Sequence, residues 1–244
     1  MKLFKFPEDQ EAIREVVSKS ELASLLVPSP QDVLIAEVCD EARTFLPASV
    51  IATPFLCPKV YAALEGTGVT TVCINSLMPA QDEHFDSKML AIEEILKVGV
   101  KDFDFTAPVG MIRDKEFDQI EKDFSVMSER IKKAGGQFSI ILETEVISYE
   151  EQILLAQAAV NAGADYLRIC SGMDLLCGIN SGRAVLRSIC QIKDRFGDQI
   201  KIKAGGGWEY AYLEDCHEYI MSGADRIDIG PRFIQQLKDM NFRR

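Results

Sequence analysis

At 244 residues, with 47% hydrophobic and 27% charged residues, the chain suits one large domain with a sizeable core. Its formal net charge of -11 argues against nucleic-acid or anionic-membrane partners. No apolar run is long enough to span a bilayer, so a membrane partner is not expected either.

Met1 to Gln10 mixes charges with aromatics and does not read as a signal peptide. A helix is expected from Glu8 to Ser20, then a first strand in the apolar run Leu22 to Val27, stopped by Pro28-Ser29-Pro30. Helix Gln31–Phe45 leads to strand Ser49–Thr53, and helix Pro58–Leu64 to the β-branched strand Thr70–Asn75. Helix Ser87–Lys97 stops at Gly99 before strand Asp102–Thr106. The amphipathic helix Lys115–Lys133 precedes strand Phe138–Thr144, and helix Tyr149–Ala162 is closed by Gly163. Gly163 to Gly172 is a turn, a short buried strand and a second turn. Helix Ser181–Phe196, strand Lys201–Ala204, helix Tyr212–Met221 and strand Arg226–Ile229 complete the series.

Eight strands, each after the first preceded by a helix, imply a parallel sheet, and eight units close a (β/α)8 barrel with an extra N-terminal helix. No composition break divides the chain, so residues 1–244 read as one barrel domain. An open doubly wound sheet is the competing architecture. The seven cysteines are scattered, odd in number and without a Cys-x-x-Cys pair, which favours reduced thiols in the cytoplasm. Cys216 and His217 are adjacent and the only other histidine is His84, so neither a metal site nor a cofactor is expected.

Side chains alternate along a strand, and catalytic groups of such barrels sit at strand C-termini and the following loops. On the sixth strand Tyr166, Arg168 and Cys170 share a face; on the seventh, Lys201 and Lys203 do; on the fourth, Asp102, Asp104 and Thr106; on the eighth, Arg226 and Asp228. Cations at the middle of short apolar strands are costly to bury without a purpose. A lysine beside a second cation in a poorly solvated site has its charged form disfavoured, which makes Lys203 a candidate nucleophile with Asp104 as proton relay. A buried structural salt-bridge layer without chemistry is the competing reading. The triple glycine Gly205-Gly206-Gly207 offers backbone donors to an anion, and Lys203 alone is equally a phosphate or carboxylate clamp.

On these residues the chain resembles the deoxyribose-phosphate aldolase family of class I aldolases. The similarity runs from Leu25-Leu26-Val27-Pro28 to Gly230 and is dense at 99–108, 141–144, 163–172, 201–207 and 223–227. The resemblance implies a (β/α)8 barrel and a Schiff base on a sixth-strand lysine, assisted by a seventh-strand lysine and a fourth-strand aspartate. The second lysine corresponds to Lys203 and the aspartate to Asp104, but the nucleophile position holds Arg168. A guanidinium stays protonated and is a poor amine nucleophile. The family's Lys-Thr-Ser-Thr-Gly is here Arg168-Ile169-Cys170-Ser171-Gly172, and its phosphate-binding turn after the eighth strand is Asp228-Ile229-Gly230-Pro231. Asp228 adds negative charge and Pro231 removes a donor, both unfavourable to a phosphate.

The expected protein is therefore a divergent aldolase-like lyase for a small carbonyl or sugar-derived molecule. Lys203 would form the imine beside Arg168, with Asp104 completing the catalytic set. Thr144, Cys170, Ser171, Gly172, Gly205, Gly206, Gly207 and Asp228 are the candidate substrate-binding residues. A non-imine isomerase or lyase using Arg168 as a carboxylate or enolate clamp, and a non-catalytic metabolite- or partner-binding descendant, are the alternatives. A homodimer is compatible with this character, and no interface is legible.

Overall fold

The structure, a computed structural model, describes residues 9–27, 31–75, 83–171, 182–205 and 212–242. Eight parallel strands form a closed barrel in chain order: β1 (Ser20–Leu22), β2 (Ser49–Ala52), β3 (Thr70–Asn75), β4 (Asp102–Thr106), β5 (Phe138–Ile141), β6 (Tyr166–Arg168), β7 (Lys201–Ala204) and β8 (Arg226–Ile229). Pairing of β1 with β8 closes the ring, with Glu21 opposite Asp228, and excludes the open doubly wound sheet. Around it lie α1 (Gln10–Ser18), α2 (Asp32–Phe45), α3 (Cys57–Leu64), α4 (Phe85–Val98), α5 (Val109–Arg113), α6 (Phe117–Lys133), α7 (Tyr149–Asn161), α8 (Gly182–Phe196), α9 (Leu213–Met221) and α10 (Pro231–Asp239).

Local chemistry sets the boundaries. Ser148 starts α7 through a capping box: its hydroxyl accepts from Glu151 N–H at 3.3 Å, and the Glu151 carboxylate accepts from Ser148 N–H at 2.6 Å. Gly99 ends α4 in the left-handed region at φ 106°, and a Cβ there would lie 2.6 Å from the Tyr61 hydroxyl. One boundary differs from the sequence reading in a way that matters. The first strand lies at Ser20–Leu22 rather than in the apolar run Leu22 to Val27, because its ladder partners, Ser49–Val50 and Ile227–Ile229, fall opposite the earlier residues. The helix before it is correspondingly shorter than expected, ending at Ser18.

Two apolar regions hold the barrel together. Outward residues such as Phe103, Phe105, Leu167, Ile169 and Ile202 pack under the helices in the larger cluster. Inside, Ala23, Leu26, Ile51, Val72, Ile74 and Ile141 form a second, smaller cluster. Register sets the second cluster beside charged neighbours, since Ile74 pairs with Asp104 and Ile141 with Arg168. One side of the barrel interior is thus apolar and the other ionic. Gly99→Ala is expected to cost about 1–2 kcal/mol through left-handed backbone strain, as read from urea unfolding.

Candidate active site

The ionic side is built from five buried side chains on five strands. Glu21 comes from β1, Asp104 from β4, Arg168 from β6, Lys203 from β7 and Asp228 from β8, none more than 4% exposed. Arg168 and Lys203 are register partners, which brings their strands' cations to one level. The Arg168 guanidinium donates through Nε to Asp104 Oδ2 at 2.8 Å, and through its terminal nitrogens to Asp228 and Glu21. Lys203 Nζ donates to Asp104 Oδ1 at 2.9 Å and lies 3.2 Å from Glu21 Oε1 and 5.1 Å from the Tyr166 ring centre. Asp104 and Glu21 therefore each bridge both cations.

Three carboxylates against two cations leave one negative charge in excess when all are ionised. Burial works against the Asp104 carboxylate, but Arg168 and Lys203 outweigh it and hold its pKa at about 2. Asp228 touches only the far end of Arg168. There burial dominates, aided by repulsion from Glu21 and Asp104, and its pKa rises to about 6 despite Arg168. Burial also opposes the Arg168 charge, and the three carboxylates overcome it, raising its pKa.

Lys203 departs from the sequence expectation. Burial and the Arg168 charge disfavour its ammonium, as anticipated, but Asp104 and Glu21 outweigh both and raise its pKa. Sequence reasoning placed two cations side by side; the structure interposes carboxylates between them. The member it missed is Glu21, assigned to the junction between a helix and a later strand. The sequence around it, Ser20-Glu21-Leu22, carries no alternation of its own; the pairing of Glu21 with Ser49 and Asp228 is what places it.

The other candidates divide. The Cys170 thiol is buried and donates to the Gly205 carbonyl at 3.0 Å, linking the chain after β6 to the end of β7. Gly205 itself fits because it lacks a Cβ, which would sit 2.4 Å from the Cys170 carbonyl oxygen and 2.7 Å from Arg168 Cγ. Ser171 is buried, and its N–H donates to Glu143 Oε2 at 3.2 Å. Thr144 lies beyond the end of β5, its N–H donating to Ile169 O at 3.2 Å and its carbonyl accepting from Gln152. Gly172, Gly206 and Gly207 lie outside the described residues, as do Pro28-Ser29-Pro30. Among the described residues no group of three or more His, Cys, Asp or Glu side chains is arranged to hold a metal ion, and no helix is long and apolar enough to cross a membrane.

Fold and site together define a (β/α)8 barrel protein with a charged layer across part of its interior. No family model matches the chain. Curated relatives do: the deoxyribose-phosphate aldolase of Caldanaerobacter subterraneus subsp. tengcongensis is 28% identical over 218 residues, covering 88% of this chain and 90% of the relative. That of Staphylococcus haemolyticus is 28% identical over 218 residues, covering 88% and 94%. Among solved structures, the tetrameric deoxyribose phosphate aldolase of Aeropyrum pernix superposes with a TM-score of 0.77 at 18% identity, covering 96% and 97% of the two chains. QR15, an aldolase, gives 0.76 at 19% identity, covering 94% and 96%. Over most of its length the chain is thus similar to deoxyribose-phosphate aldolases.

Two measurements follow from this geometry. Gly205→Ala is expected to destabilise the fold by about 1–3 kcal/mol in urea unfolding, since backbone rather than a flexible side-chain end blocks the new methyl. Asp228 binds its proton at about pH 6 when folded and near its ordinary 3.8 when unfolded, so the folded state holds more protons between those values. Unfolding free energy should therefore fall as pH rises from about 4 to about 6, by on the order of 3 kcal/mol from this group. Asp104 acts with opposite sign and only below its ordinary 3.8. Asp228→Asn should remove that fall, as a wild-type minus variant difference in urea unfolding across pH 4 to 8.

Proposed function

We propose that the protein is an aldolase-type carbon–carbon lyase acting on a small carbonyl compound or sugar-derived substrate, with Lys203 as its imine-forming amine. The observation that carries this reading is the position of Lys203 Nζ inside the barrel, within reach of two carboxylates, Asp104 and Glu21. The named activity of the relatives supports the reaction class.

The chemistry begins from an ammonium, because the carboxylates hold Lys203 protonated. One N–H proton passes to a neighbouring carboxylate oxygen, the freed amine attacks the substrate carbonyl carbon, and the carbonyl oxygen leaves as water. The imine then accepts the electron pair of the breaking carbon–carbon bond, while the departing hydroxyl group gives its proton to a base. Arg168 takes no covalent part. Its guanidinium stays charged and compensates the carboxylates left after Lys203 loses its charge. Pro231, which removes a backbone donor from the turn after β8, favours an unphosphorylated substrate. The tetrameric Aeropyrum pernix relative supports a homo-oligomeric assembly, a dimer at least, and the acidic composition with scattered cysteines supports a soluble cytoplasmic enzyme.

A specific observation favours a second reading, a metabolite-binding descendant without turnover: the cluster pairs every guanidinium nitrogen with a carboxylate and stabilises the unreactive form of Lys203. The same pairing counts against Arg168 as a free carboxylate or enolate clamp. Borohydride trapping with small aldehydes, ketones and 2-oxo acids, read by intact mass, separates the two. A covalent adduct absent from Lys203→Ala is expected, formed faster by up to about tenfold per pH unit above neutrality as the amine fraction grows. Absence of any adduct, with deoxyribose 5-phosphate included, would select the non-catalytic reading.

A further inference from the structure

A polar cavity of about 340 Å³ opens at the end of the barrel opposite the expected substrate mouth. Its lining fixes its place: Ser49, Thr70, Asp102 and Arg226 are the first residues of β2, β3, β4 and β8. Glu21 also lines it, although the Glu21 side chain is only 3% exposed. One carboxylate thus faces two ways. Its Oε1 lies 3.2 Å from Lys203 Nζ and its Oε2 accepts from Arg168, while the same group borders the cavity.

We propose that the buried ion cluster exchanges protons with solvent through this N-terminal cavity, with Glu21 as the group that connects Lys203 to it. The cavity is large and polar enough to hold water. Ser49 Oγ, buried on its wall, has no protein hydrogen-bond partner, and a buried hydroxyl is costly unless a water satisfies it. Ala23 and Leu26, which follow β1, join Ile74 and Ile141 in an apolar cluster beside the ion layer rather than continuing it. Protons therefore have a polar route at the strand starts.

The transfer balances without any further reactant. A Lys203 Nζ–H bond breaks as a Glu21 Oε1–H bond forms, and Glu21 then passes that proton to cavity water, regaining its charge. The groups facing Glu21 are Lys203 from β7, Arg168 from β6, Asp104 from β4 and Asp228 from β8, with Asp102 and Arg226 on the cavity wall beside it. Substrate and proton then use opposite ends of the barrel, so a molecule filling the mouth leaves the proton route open. Asp102 stands on that route: burial raises its pKa, Lys203 pulls it down, and Gln137 N–H donates to it at 3.0 Å.

The test needs no turnover, so its outcome is separate from that of the lyase reading. Protein labelled with ¹⁵N-lysine reports, by NMR, the rate at which the Lys203 ammonium protons exchange with water, the signal being assigned by its loss in Lys203→Arg. Ser49→Leu fills the cavity with apolar atoms, and Thr70→Leu, at an exposed strand start, narrows the entrance with less demand on packing. Exchange at least tenfold slower than wild type in either folded variant, and in Glu21→Gln, is the expected result. Unchanged exchange in a folded cavity-filling variant would overturn the proposal. Should Ser49→Leu fail to fold, Thr70→Leu alone decides.

Discussion

The guanidinium of Arg168 is the group on which the rest of the interior depends. It is among the largest fully buried side chains of the protein, and three carboxylates from three different strands hold it there. Taking such a charge out of water costs several kcal/mol, and only dense pairing offsets that. The pairing explains features that look unrelated. Gly205 lacks a side chain where the Cys170 carbonyl and then the Arg168 stem lie against it, and Cys170 turns its thiol to the Gly205 carbonyl at the same crossing. Asp228, which reads in the sequence as hostile to a phosphate, is explained by the guanidinium end it faces.

The consequence for Lys203 is a change of sign. A lysine next to an arginine suggests mutual repulsion and a weakened ammonium, and Arg168 does exert that effect. Two bridging carboxylates exert a larger one, so the same lysine rests as a firmly charged member of an ion network. An amine kept in reserve this way is available only when something changes the balance of charge around it. A substrate that displaces one carboxylate contact would do so, and so would a proton leaving by way of Glu21.

Much of this was legible in the amino-acid order. Alternation put Asp104, Arg168, Lys203 and Asp228 on inward faces, and the helix–strand count gave the closed barrel. The glycines that stop helices in the sequence, Gly99 and Gly163, both have positive φ. Glu21 escaped because β1 is only three residues long and an apolar run directly after it looks more like a strand. What fixes it is non-local, the ladder to β8. The sign of the Lys203 shift escaped because Asp104, and Glu21 after it, outweigh burial and Arg168, and the linear order placed only Asp104 beside the lysine. α5 and α10 were not assigned either: the first is a single short turn of helix, and the second follows the last strand, where no further strand frames it.

Closure of the ring by β1 and β8 also imposes an order on how the protein comes into being. Glu21 emerges from the ribosome long before its partner Arg168, 147 positions later, and Asp228 is made 60 positions after Arg168. Until the eighth strand is complete, neither the ring nor the full set of counter-charges exists. Until then Arg168 lacks one of the three carboxylates that offset the cost of burying it. Such an arrangement makes completion of translation, rather than collapse of the first half, the event that licenses the folded interior.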